Sequence, residues 1–397
     1  MSNTPTSPET DVESSQKAET PTPGSLSIIE AAQPPSPAIT VPDGGLQAWL
    51  SVLGGFFVCV ATFGYSNSFG VYQDYYVLKG ASSSSNVSWI GSLQYYQLVL
   101  AQGIGMGIGS GLMFVPTMSV QAHHWRVHRS LAMGIVMTGT GIGGLIFPIM
   151  LNRLINGHTG FAWGVRATAF LNLGLLAVAN SVMTTRLPSA KQRGPGPKLD
   201  MKAILTDWPY LVFLLGLFLI LWGMFFPYFY LQLWVNVHGL SATLGLYTIA
   251  ILNGASIFGR TLLNMLADRI GPLNVLWPVA TVTAALMFVM FSVTTTAATI
   301  VFSIFYGFFS GALISMMPPT ASRFANGLHE MGLRLGLAFF SSSFALLTGT
   351  PIAGALYDSG GQWYKPVVFS AVVMFAGAAC VLFARHHVAR AKGTRLV

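Results

Sequence analysis

The chain has 397 residues, of which 53% are hydrophobic and only 8% charged, against about 25% charged in an ordinary soluble domain. A mean hydropathy of +0.61 over the whole length points to several membrane spans. Cys59 and Cys380 both sit in apolar runs, which excludes a disulfide scaffold and a cysteine-based zinc cluster.

Residues 1–42 are rich in Ser, Thr, Pro and Glu. They have too little apolar surface to fold alone and no basic start followed by an early apolar stretch, so a disordered cytosolic tail without a signal peptide is expected. After Asp43-Gly44-Gly45 the chain turns apolar. Runs near spanning length fall at about 48–72, 89–118, 131–151, 165–183, 209–234, 241–265, 273–293, 297–317, 333–356 and 366–384. Lipid leaves no backbone group unpaired and no alternating barrel pattern is present, so about ten transmembrane helices are expected, an all-α polytopic membrane protein.

Lys and Arg set the orientation. With the N-terminus cytosolic, fifteen of them fall at the inner ends or loops, and only Lys79, Arg153, Arg166 and Lys365 fall outside. The net charge of +8 is thereby topology rather than a nucleic-acid signal. Both termini are expected in the cytosol, and the one usable glycosylation sequon, at Asn86, lies outside.

The chain repeats itself. Gly105, Gly109 and Pro116 answer Gly307, Gly311 and Pro318 at an offset of 202, and Gly134 and Pro148 answer Gly336 and Pro351 at 202 and 203. Leu53-Gly54 matches Leu215-Gly216 at only 162, so the first half is about 40 residues shorter, a loss lying before the Gly105 helix. Two helical bundles are expected, one of four spans over 43–185 and one of six over 207–385. A linker at 186–206 joins them and a basic tail at 386–397 follows. Simple divergence of the two halves is the alternative.

Pro42-Asp43-Gly44-Gly45 with Trp49, Phe69-Gly70-Val71-Tyr72, Ser88-Trp89-Ile90-Gly91-Ser92 and the run Gly259-Arg260, Asn264, Ala267-Asp268-Arg269, Gly271 resemble the major facilitator superfamily. Within it they resemble the fungal monocarboxylate-permease-like group. The resemblance implies a two-bundle fold of twelve helices, here with the second and third absent, leaving about ten. It also implies a cytosolic gating motif at Gly259, Asn264, Asp268, Arg269 and Gly271. Animal members use a first-helix Lys and an eighth-helix Asp and Arg; the matching positions are Asn67, Ser256 and Arg260, so only the Arg is kept.

All twelve acids can be placed outside helix interiors and the eight histidines fall in loops or at span edges, so no proton carrier is evident. Arg260 is the first candidate to contact an anionic solute, because a guanidinium can clamp a carboxylate. A structural cation, snorkelling or paired with Asp268, is its other reading. Tyr65, Asn67, Asn253 and Ser256 are candidates for lining a cavity or for bonding between helices. The expected function is a secondary carrier of a small organic solute, first a monocarboxylate or other organic anion, working by alternating access in the plasma membrane. Export of a neutral or secondary metabolite is the first alternative, and a non-transporting scaffold, sensor or defective carrier the second. No Walker loop and no catalytic cluster appear in the sequence, so neither an enzyme nor a cofactor or metal is expected, and the partners are the solute and the bilayer.

Overall fold

In the computed structural model the described residues are 41, 43–68, 72, 104–186, 199–358 and 362–397. The sequon at Asn86 and the expected start of the second span lie outside them. Every regular element among the described residues is helical.

The first half contains α1 (Leu46–Cys59, prolonged by a π turn Val60–Gly64), α2 (Met106–His124), α3 (Arg129–Asn156) and α4 (Gly160–Val182). The short α5 (Met201–Leu205) leads into α6 (Trp208–Met224) and α7 (Phe226–Val237). Then follow α8 (Ala242–Ile270), α9 (Pro272–Val289), α10 (Thr296–Ser322), α11 (Leu328–Asp358) and α12 (Tyr364–Lys392). Nine helical stretches among the described residues are long and apolar enough to cross a bilayer. The 19-residue α2 is not among them, and its second half carries Gln121, His123 and His124.

Local chemistry fixes several boundaries. Asp200 accepts the Ala203 N–H at 3.0 Å and Thr295 accepts the Ala298 N–H at 3.2 Å, each satisfying a first-turn donor of its helix. The expected span 209–234 is divided at Phe225, because Pro227 has no N–H to give to the turn before it. Helix α12 runs on to Lys392, well past the apolar run that ends near 384. Its His386, His387, Arg390 and Lys392 belong to the helix rather than to the expected tail, since long basic side chains reach water while the backbone ladder continues.

Within the first half α1 packs on α2, α3 and α4; within the second, α8 packs on α10 and α6 on α12. The main junction between the halves is α3 against α8, supported by α3 against α10 and α2 against α11. Gly134 makes that junction close: a Cβ there would lie 2.8 Å from the Cβ of Asn264. The ends of α3 and α8 that meet near Arg129 and Arg269 form what we call the basic end.

Candidate functional site

Arg260 lies on α8 where it faces α3, and is 3% exposed. Its Nη1 donates to the Met137 carbonyl and to the Thr140 hydroxyl, both on α3, so the side chain bridges the two halves. Its Nε is buried and has no hydrogen-bond partner. The ion pairs among the described residues do not include Arg260, and Asp268 is engaged elsewhere. The pairing of Arg260 with Asp268 that its position suggested is therefore not formed. A guanidinium has five N–H donors; both bonds here come from Nη1, and the Nε–H is left without an acceptor.

The other candidates divide. The exposed Asn67 donates from Nδ2 to the Thr140 carbonyl at 3.5 Å, so Asn67 and Arg260 converge on one residue of α3. Ser256 is fully buried, donates to the Asn253 carbonyl at 2.7 Å, and touches Gly311 of α10. It is part of the α8–α10 contact. Asn253 is buried one turn away, near Gly141 of α3. Tyr65 shares a 2.6 Å hydrogen bond with Tyr72 and sets its ring edge-on to Phe147 of α3. Sequence reasoning did not single out Thr140, although a hydroxyl in an apolar α3 was its signal. The part-buried Tyr228–Ser310 hydroxyl pair, 3.1 Å apart, was also missed as a unit.

The expected gating residues lie toward the basic end. Asp268 accepts the Ser130 and Leu131 N–H groups at 2.7 and 2.8 Å, so a carboxylate of the second half caps the start of α3 in the first. First-turn amides carry the positive end of the helix dipole, which makes this a favourable place for a negative charge. Asn264 donates to the Arg260 carbonyl at 2.7 Å and to the Ser315 hydroxyl at 2.6 Å, and Gly259 lies against the backbone of Phe308. Both fix α8 on α10. Gly271 ends α8 at φ 97°, a conformation that a side chain disfavours. Arg269 is exposed. Beside this cluster, burial holds the Arg323 guanidinium below its usual pKa, and the charge of Asp268 pushes it back up.

A second buried cation went unrecognised. Arg334 belongs to the second turn of α11, which begins at Leu328 rather than near 333. It is 3% exposed, bonds Asp207 at 2.6 Å and Glu330 at 3.2 Å, and lies 4.8 Å over the ring of Tyr210. The Tyr210 hydroxyl donates to the Arg334 carbonyl. Unlike Arg260, this cation is neutralised within its own half.

The family model described as Major Facilitator Superfamily matches residues 80–327. The aspyridones efflux protein apdF of Emericella nidulans is 37% identical over 380 positions, covering 85% of this chain and 77% of that protein. The agnestins efflux protein AgnL12 of Paecilomyces divaricatus is 33% identical over 414 positions, covering 92% and 93%. Among solved structures, the transporter FucP in its outward conformation superposes at a TM-score of 0.56 with 14% identity, covering 85% of this chain and 83% of that one. The human organic anion transporter MFSD10 does so at 0.54 with 13% identity, covering 84% and 82%. With an all-helical fold of that type and relatives named as transporters, the chain is a multi-pass membrane transporter rather than an enzyme, and it belongs to the Major Facilitator Superfamily.

Proposed function

We propose that this carrier exports a small organic metabolite bearing an acidic group, and that Arg260 is its anion contact. The direction is suggested by relatives named as efflux proteins for aspyridones and agnestins. The monocarboxylate expected from the sequence is narrower than those names support, and export of a secondary metabolite replaces it as the leading reading. Arg260 carries the acidic-group part: it is buried, bridges the two halves, pairs with no acid among the described residues and keeps Nε unbonded. A bound acid would compensate a charge that burial otherwise penalises.

Alternating access follows from the same junction. The α3–α8 contact joins the halves at Arg260 and again at Asp268, and exposing the site from the basic end requires Asp268 to leave the start of α3. We assign the basic end to the cytosol by the distribution of Lys and Arg, with the plasma membrane as the site of action. The test is efflux from cells or inside-out vesicles of a panel of acidic and neutral metabolites, aspyridones included. Export of acids but not of their methyl esters, lost in Arg260→Met, supports the reading. Equal export of acids and esters by both proteins refutes it.

The shortened first half is also our inference. Gly311 touches Ser256 of α8, yet its counterpart Gly109 meets nothing within 4 Å among the described residues. Gly134 touches α8 as well, and its counterpart Gly336 is equally open. These two open counterparts among the described residues support a first half that lacks the helix equivalent to α8. In addition, 85% of this chain supplies about 337 residues to the 380-position alignment with the aspyridones efflux protein. About 43 positions therefore have a residue in that relative alone. Reading the messenger RNA across Gln94–Tyr95 decides it: an in-frame insert of roughly two helices restores twelve spans, and the junction as written leaves a ten-helix protein.

A further inference from the structure

The segment after α12 folds back onto the turn that carries the gating acid. Gly393, at φ 60°, ends α12 and turns the chain, and the Thr394 N–H returns to the Ala389 carbonyl at 3.2 Å. Val397 is then only 2% exposed and joins the apolar core. Its backbone lies against Gly271, where a Cβ would come within 2.6 Å of its nitrogen and carbonyl carbon. The Asn274 N–H donates to the Val397 carbonyl at 3.2 Å, and Asn274 Nδ2 donates to the Arg395 carbonyl at 2.7 Å. Arg385 holds Asn274 Oδ1 at 2.7 Å, and Lys392 Nζ reaches the Arg323 carbonyl at 2.7 Å. The segment is thereby tied to α9 and to the end of α12, while Lys392 of α12 holds the residue that follows α10.

That turn matters because of what precedes it. Asp268 stands three residues before Gly271, and the Gly271 N–H closes the last turn of α8 on the Ala267 carbonyl at 2.8 Å. Any shift of Gly271 moves the carboxylate that caps α3 across the two halves. Hydrogen bonds of 2.7–2.8 Å tolerate little displacement before they weaken.

We propose that residues 394–397 act as a strap that seats Asp268 on the start of α3, so that undocking the strap shifts the carrier toward the state open at the basic end. The inference rests on the alternating-access reading but not on any substrate. The strap is a positioning device: it touches neither Arg260 nor the residues around it in the contacts described above.

The test labels a cysteine at Met133, which is fully buried on α3 near the basic end, with a membrane-impermeant maleimide. The protein is full-length, in nanodiscs, with Cys59→Ala and Cys380→Ala. Deleting 394–397, or undocking the segment with Val397→Asp, is expected to speed labelling at least threefold. On an Asp268→Asn background, where labelling is already fast, neither change should add to it. Unchanged labelling in both strap variants, with or without a lower Tm, overturns the proposal. So does an equal acceleration on the two backgrounds, which would mean the segment acts other than through Asp268. Efflux is not read, so failure of the strap and failure of the export reading remain separate results.

Discussion

Asp268 caps Ser130: a carboxylate near the end of α8 accepts the N–H at the start of α3, 2.7 Å away and 138 residues earlier in the chain. This cap crosses the junction that the proposed alternating access would have to open. A carboxylate at a helix start contributes about 0.3–1 kcal/mol when exposed and up to ~2 when partly buried. Asp268→Asn keeps one acceptor and loses the charge. The population open at the basic end should rise by a few-fold to about thirtyfold, on the ~1.4 kcal/mol per decade scale. Spin labels on the exposed Val127 and Arg269 should show a longer distance component that is minor in the unmodified protein.

Arg260→Lys is a sharper probe of the site than removal of the side chain. A lysine keeps the charge, and one ammonium can still reach Met137 and Thr140 as Nη1 does, but it lacks the planar fork and the unbonded Nε that would clamp a carboxylate. Efflux of an acidic metabolite should fall at least tenfold while Tm in detergent drops by only a few degrees. A normal efflux rate for the Lys variant would reduce Arg260 to a structural tie.

Arg334 predicts a stability effect without a gating one. Asp207→Asn leaves the buried guanidinium with Glu330 as its only charged partner among the described residues. Because Asp207 is 26% exposed, the loss is set at about 1–3 kcal/mol, the cost of a weakened bond to a buried charged group rather than of a fully buried pair. Thermal unfolding should report it, and spin-label distances across the α3–α8 junction should stay as they were.

Two glycine substitutions should separate the packed faces from the open ones. Gly134→Ala puts a methyl 2.8 Å from the Asn264 Cβ and should cost about 1–3 kcal/mol by overpacking. Gly107→Ala, in α2, meets nothing within 4 Å among the described residues and should be neutral or stabilising by up to ~1 kcal/mol through helix propensity. Tm values of the two variants check the contrast.

Hydropathy and the Lys/Arg pattern were enough to read a polytopic helical membrane protein, because lipid admits so few backbone solutions that length and polarity nearly decide them. The residues proposed to gate, Asp268 and Gly271, were singled out because their local run resembles a motif of the family. Partners were not legible. Arg260 meets Thr140 at a separation of 120 residues, Arg334 meets Asp207 at 127, and Asn274 meets Arg395 at 121. Helix periodicity carries no record of which face of one helix meets which face of another, and hydropathy cannot fix the depth of a single Arg. The sequence therefore determined that the chain is built of apolar helices of spanning length and where its basic residues gather, though not that α2 falls short of the nine candidate spans among the described residues. Only tertiary packing decided that one buried arginine is neutralised within its own half, while the other is left bridging the two.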